Sequence, residues 1–190
     1  MRRPFAGEPA DWLIVGLGNP GPQYSGTRHN VGFRVLAVLA ERWDLGRARD
    51  RYAGRFLAGR VAPGGPRVAL LQPQTFYNDV GRAAGPARGA LKLAPERVIV
   101  VHDEIDLPFG EVRTRLGGGL AGNKGLASIR GALGTPEFMR VRVGVGRPDS
   151  TDPEIVSSYV LGRFRESDAE VDSLIDEAAG HVERLILEEA

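Results

Sequence analysis

The chain has 190 residues, 42% of them hydrophobic and 26% charged, which fits one folded domain with a buried core and excludes disordered, collagen-like and coiled-coil classes. Its 25 basic and 24 acidic residues give a net charge of +1, so total charge argues neither for nor against a nucleic-acid or membrane partner. Cysteine is absent, which removes disulfides, thiolate nucleophiles, iron–sulfur clusters and cysteine-bound zinc.

Residues 1–11 are polar and rich in Pro and Gly, and we expect a loose tail there, followed by a single domain over 12–190. The two N-terminal arginines precede no apolar signal-peptide region, and no stretch approaches the ~18 apolar residues of a membrane span. A soluble, cytoplasmic chain is the expectation. Trp12-Leu13-Ile14-Val15 predicts a buried strand ended by Gly16. After a Pro- and Gly-rich loop, Val31, Val35, Leu36, Val38 and Leu39 recur at helical spacing up to Trp43. Ala53 to Leu71 reads as two strands joined in a hairpin at Pro63-Gly64-Gly65-Pro66. The Ala- and Gly-rich run from Val80 to Leu91 predicts a helix that Gly85-Pro86 must start, kink or break. Val98 to Val101 is a continuous apolar strand running into His102-Asp103-Glu104. Residues 112–116 and 138–145 are further predicted strands, separated by a glycine-rich loop and a short helix through Leu126, Ile129 and Leu133. Val171, Leu174, Ile175, Ala178, Val182, Leu185 and Ile186 fall on one face of an amphipathic closing helix. Together these elements predict an α/β fold: one domain with a twisted mixed β-sheet flanked by helices.

Charge is unevenly placed. Residues 112–147 hold seven basic side chains and one acid, a local net of +6, and the rest of the chain carries −5. Single-sign patches are common on ordinary surfaces. The glycine loop inside this one adds a reason to read it as a phosphate-binding region.

Gly16-Leu17-Gly18-Asn19-Pro20-Gly21 matches the dinucleotide fingerprint G-x-G-x-x-G after a strand. Pro20 and Pro22 keep a helix from starting there, and Glu41 lies within a helical run where a ribose-binding acid should end a strand, so we reject it. The loop from Gly117 to Gly125 lacks the G-K-[ST] ending of a P-loop, because glycine follows Lys124. Its backbone amides are still free to converge on a phosphate, with Arg115, Lys124 and Arg142 near in sequence; the alternative is a plain hairpin loop.

Three histidines remain to be weighed. His181 reads as a surface residue of the last helix, and His102 as a structural residue at a strand end. His29, in Thr27-Arg28-His29-Asn30 at a loop-to-helix junction, is the best general-base candidate, because imidazole titrates near neutrality. Asp103, Glu104 and Asp106 follow a buried strand, where open α/β sheets bind ligands, and Asp103 is the preferred orienting partner of a histidine. No G-x-S-x-G occurs, so hydrolysis would use an activated water. Asn19, Asn30 and Asn78 stand at loop positions where an amide either steers water and oxyanion or only stabilises a turn.

Leu13 to Gly21, Tyr24 with Thr27 to Phe33, Pro73 to Phe76 with Asn78, Val101 to Pro108, Gly117 to Gly119 and Arg140 to Pro148 together resemble the bacterial peptidyl-tRNA hydrolases, in family order over roughly residues 12–164. The resemblance implies hydrolysis of the ester joining a peptide to the 3′-terminal ribose of tRNA, by a cytoplasmic monomer that needs no cofactor, metal or protein partner. It places His29 as the base for water, Asp103 as its orienting carboxylate, and Asn19 and Asn78 as amides holding the substrate carbonyl. It places Tyr24 and Phe76 along the cleft, and Arg115 and Arg142 against tRNA phosphate. Asn123 and Lys124 depart from the family's usual His-Asn in the glycine loop, with altered binding of the tRNA end as the expected consequence. Tyr77 stands where methionine is usual and is expected to add a hydroxyl to the cleft wall. The competing reading is a catalytically weak relative that binds RNA for processing.

Overall fold

The apolar run at Trp12 becomes β1 (Trp12–Gly16), buried along its whole length and lying at the centre of the sheet. The computed structural model describes residues 10–189. Most of the expected loose tail lies outside the described residues. Its last two residues are packed: Ala10 is buried, and the carboxylate and N–H of Asp11 bond the backbone of Arg67 at 2.7 and 2.8 Å.

From β1 the chain enters α1 (Val31–Arg42), then β2 (Arg49–Arg51), β3 (Gly54–Arg60) and β4 (Arg67–Pro73). It continues through α2 (Gly81–Leu91), β5 (Val98–Glu104), β6 (Val112–Leu116), α3 (Lys124–Leu133), β7 (Met139–Gly144), α4 (Pro153–Val160) and α5 (Asp168–Glu188). The seven strands form one sheet in the order β2-β3-β4-β1-β5-β7-β6. The inner four, β4, β1, β5 and β7, are mutually parallel, and the outer strands join antiparallel. Continuous apolar runs suit those inner strands because helices cover both faces. Leu13, Val15 and Val100 pack with α2 and α3, whereas Ile14, Ile99 and Val101 pack with α1 and α5. The expected α/β architecture with a mixed sheet is therefore the architecture found.

Two helices differ from expectation. The helix α2 runs through Pro86 unbroken, because Pro86 sits on its exposed side. Its Ala and Gly content has a packing reason, since a Cβ on Gly81 would fall 2.3 Å from the carbonyl oxygen of Ser128 in α3. The helix α4 was absent from the expectation although Asp152-Pro153-Glu154 is a start signal: the Asp152 side chain accepts from the Glu154 N–H at 2.8 Å, and Pro153 occupies the first turn.

The helix α1 lies directly on the sheet through Gly32. A Cβ there would meet the Val101 carbonyl oxygen at 2.5 Å and the Leu17 nitrogen at 2.6 Å. Both are backbone atoms that cannot turn away, so Gly32→Ala should destabilise by about 1–3 kcal/mol despite alanine's better helix propensity. Thermal denaturation should show a fall of roughly 2–4 °C per kcal/mol. A raised Tm would show that α1 can lift from the sheet.

β1 leads to β4 on one side and β5 lies on the other, so connections diverge at the C-terminal ends of β1 and β5. This is the crevice where α/β sheets bind ligands.

Candidate active site

Three short segments meet at that crevice. The first follows β1, where Asn19 is held by a two-bond clamp: its N–H donates to Asn30 Oδ1 and its carbonyl accepts from Asn30 Nδ2, both at 2.9 Å. The second is the turn Arg28–Asn30 at the entry to α1, which carries His29. Buried Arg28 anchors it by donating to the Tyr159 carbonyl at 2.9 Å and lying 4.0 Å over the Tyr159 ring, so α4 braces the turn. The third is the end of β5, which carries Asp103.

The His29 Nδ1–H faces both oxygens of Asp103, at 3.0 and 2.9 Å. The Asp103 side chain is 2% exposed and that of His29 is 17% exposed, so the carboxylate is interior and the imidazole opens to the cleft. A carboxylate only accepts, so it holds the imidazole proton on Nδ1 and leaves Nε2 with a free lone pair. Nε2 makes no hydrogen bond among the described residues. Asn19 Oδ1 accepts the Tyr77 N–H at 2.8 Å, which leaves its Nδ2 a donor with no hydrogen bond among the described residues.

A model of the peptidyl-tRNA hydrolase family matches residues 13–190 of this chain. The chain belongs to that family. A peptidyl-tRNA hydrolase from Mycobacterium sp. strain KMS is 47% identical over 176 residues, covering 92% of this chain and 90% of the relative. One from Pseudarthrobacter chlorophenolicus is 45% identical over 178 residues, covering 93% and 90%. The crystal structure of peptidyl-tRNA hydrolase from Acinetobacter baumannii superposes with a TM-score of 0.82 at 37% identity, covering 94% of this chain and 89% of that one.

Several residues singled out from the sequence take other places in this family member. Tyr77 does not line the cleft. It is buried, its ring stacks on His29 with centroids 3.5 Å apart, and its hydroxyl donates to Asp103 Oδ1 at 3.0 Å. Burial, then the Asp103 charge, push that hydroxyl well above the usual phenol range, so it stays protonated. Asn123 also turns inward. Its Oδ1 accepts the Leu126 N–H at 2.9 Å as the N-cap of α3, and its Nδ2 donates to the Tyr77 hydroxyl at 3.0 Å. Those two bonds tie Asn123, which stays half-exposed, to α3 and to Tyr77.

Phe76 and Asn78, on either side of Tyr77, are exposed, Phe76 by 65%. Tyr24 is half-buried, and Lys124 is exposed at the start of α3. Phe76 lines a groove of about 630 Å³ together with Pro20, Tyr52, Thr75, Asp79 and Arg82. His29 and Asp103 stand outside that lining.

The basic segment is less positive at its surface than its sequence count. Arg142 donates through Nε to Glu104 at 3.1 Å, Arg147 pairs with Asp106 at 2.8 Å and Arg113 with Glu111 at 2.8 Å. Arg115, Lys124 and Arg130 are exposed and form no ion pair among the described residues. Buried Arg140, which sequence reasoning left in the general count, holds the glycine loop: Nη1 donates to the Gly119 carbonyl at 2.7 Å, and Nε faces His102 Nε2 at 3.4 Å. The Gly117 N–H is taken by the Phe138 carbonyl and the Asn123 N–H by the Leu120 carbonyl, so both ends of the loop are tied down.

His102 has the structural role expected of it. Its Nδ1–H donates to the Asp103 carbonyl at 2.8 Å, and burial, then the Arg140 guanidinium, lower its pKa to about 4, which keeps it neutral. His181 is bonded to Glu177 at 3.1 Å on the last helix, away from these segments.

Proposed function

We infer that this chain hydrolyses peptidyl-tRNA, cleaving the ester between the peptide and the 3′-terminal ribose and freeing the tRNA, by attack of a water activated at His29. The observation that carries this reading is an imidazole held in one tautomer by a buried carboxylate, in a chain of this family.

In the proposed step, His29 Nε2 takes a proton from water as the water oxygen attacks the ester carbonyl carbon. Asp103 steadies the imidazolium. The Asn19 Nδ2 group, aimed by the bond from Tyr77 N–H to Oδ1, donates to the carbonyl oxygen as it gains charge, with the exposed amide of Asn78 as a second donor. Collapse breaks the bond to the ribose oxygen, which receives the proton from His29, leaving a free ribose hydroxyl and a peptide carboxylic acid that releases its proton to water. Phe76 and Tyr24 line the peptide side of the cleft. Arg115, Lys124 and the guanidinium end of Arg142 meet the acceptor-end phosphates, a contact that positions the tRNA without reading its sequence.

No helix among the described residues is long and apolar enough to cross a membrane. We place the protein in the cytoplasm as a monomer that needs no protein partner.

The test is release of N-acetyl-amino acid from N-acetyl-aminoacyl-tRNA, with unblocked aminoacyl-tRNA as control. Cleavage of the blocked substrate alone supports the reading. Binding of tRNA without cleavage replaces it with an RNA-binding role.

Affinity for tRNA should fall with salt, and Arg115→Ala should flatten the plot of log K against log salt by about 0.7–0.9, the release of one counterion. Filter binding across a salt series measures this. An unchanged slope removes Arg115 from the phosphate site.

A further inference from the structure

We propose that Tyr77 and Asn123 are positioning residues for the hydrolysis: a hydrogen-bonded relay from the α3 N-terminus that holds the Asp103 carboxylate, and through it His29, in its working geometry. The proposal rests on the reading of His29 and Asp103 given above.

Tyr77 touches Asn19 beyond β1, His29 in the turn before α1 and Asp103 at the end of β5. Its N–H holds the Asn19 side chain at 2.8 Å, its ring stacks within 13° of parallel on His29, and its hydroxyl reaches Asp103 at 3.0 Å. The direction of each bond follows from chemistry. Asp103 only accepts, so the phenol must donate to it. The phenol oxygen then accepts, so Asn123 must present Nδ2, and its Oδ1 is left for the Leu126 N–H, a backbone donor that has no other role. The chain from helix to imidazole therefore has one self-consistent arrangement, with no competing proton position.

Space for the ring is built in. A Cβ on Gly125 would fall 2.5 Å from a Tyr77 ring carbon, so the glycine after Lys124 lets α3 close over the phenol. Tyr77 and Asn123 are also two of the positions at which the chain departs from the motif it otherwise resembles, and they bond each other at 3.0 Å. A donor on Asp103 Oδ1 fixes the rotation of the carboxylate and keeps both oxygens turned toward Nδ1. It also spreads the carboxylate charge, so the Nδ1 proton stays on the imidazolium while the Nε2 proton passes to the leaving oxygen.

The experiment compares wild type, Tyr77→Phe, Asn123→Ser and the double variant in the cleavage assay, with thermal denaturation alongside. Phe keeps the stacked ring and loses only the hydroxyl. Ser keeps an N-cap acceptor for Leu126 but is too short to reach the phenol. Tyr77→Phe should lower kcat roughly tenfold with KM unchanged, the scale of one hydrogen bond to a charged group. Asn123→Ser should lower kcat by a smaller factor, and the double variant should be no slower than Tyr77→Phe, because both act through one hydroxyl. A folded Tyr77→Phe with wild-type kcat overturns the relay while leaving the hydrolase reading intact. If Tyr77→Phe fails to fold, Asn123→Ser decides: wild-type kcat there overturns the relay equally. An inactive wild type removes the hydrolase reading and the relay with it.

Discussion

Replacing His29 with alanine is expected to lower kcat on N-acetyl-aminoacyl-tRNA by about 10²–10⁴-fold, the usual contribution of a positioned general base, and to leave tRNA affinity unchanged. The selectivity follows from location. His29 sits over the crevice between β1 and β5, while the exposed basic residues lie on β6 and at the start of α3. Asp103 keeps the Tyr77 hydroxyl as a partner at 3.0 Å when the imidazole is gone, so the buried carboxylate is not stranded and the variant should fold. Single-turnover cleavage and filter binding on the same preparation measure the two quantities. Full activity would remove His29 as the base, and lost binding would mean that it holds the substrate rather than the water.

Asp103→Asn should be comparably damaging, about 10⁴-fold in kcat, the size seen when a carboxylate–imidazole pair is converted to an amide. The cause is the tautomer. Asp103 Oδ1 receives the Tyr77 hydroxyl at 3.0 Å, so an asparagine places its oxygen there, still 3.0 Å from Nδ1, and its amino group at the nearer Oδ2 position, 2.9 Å from Nδ1. An amino group pointed at Nδ1 demands a lone pair there and drives the proton to Nε2. The cleft nitrogen then becomes a donor with nothing to accept a water proton. Nitrogen NMR of the imidazole should show the switched tautomer, with Tm little changed because shape and packing are preserved. An active variant that still carries the proton on Nδ1 would sink the orienting role.

Much of this arrangement was legible because it follows from local pattern. Val98 to Val101 reads as a continuous apolar strand, buried on both faces if its neighbours are parallel, which they are, and alternation put Asp103 and His102 on opposite faces, as they are found. The loop-to-helix junction at His29 was equally plain. What escaped depended on direction or on register. In the turn Tyr77–Asp79 the side chains alternate outward, inward and outward from Phe76 to Asn78, and a turn carries no apolar period that would reveal it. Arg140 and Arg142 share a face by alternation, but the neutralising partners of that face appear only when β5 and β7 pair with His102 beside Arg142. β2, three exposed residues reading Arg-Asp-Arg, has no hydrophobic signal at all. Pro86 misled for a related reason, since its tolerance depends on which side of α2 faces solvent.

The two outermost strands have a consequence for solubility. An open sheet ends in rows of unpaired backbone groups that invite another copy to add itself as the next strand. Here one end carries Arg49, Asp50 and Arg51, and the other Arg113 and Arg115, all exposed. A second molecule approaching β6 antiparallel would set arginine opposite arginine, a repulsive cross-strand pairing. The Arg115 guanidinium that we propose meets tRNA phosphate thus also sits on the open edge of the sheet, where its charge disfavours the addition of a further strand.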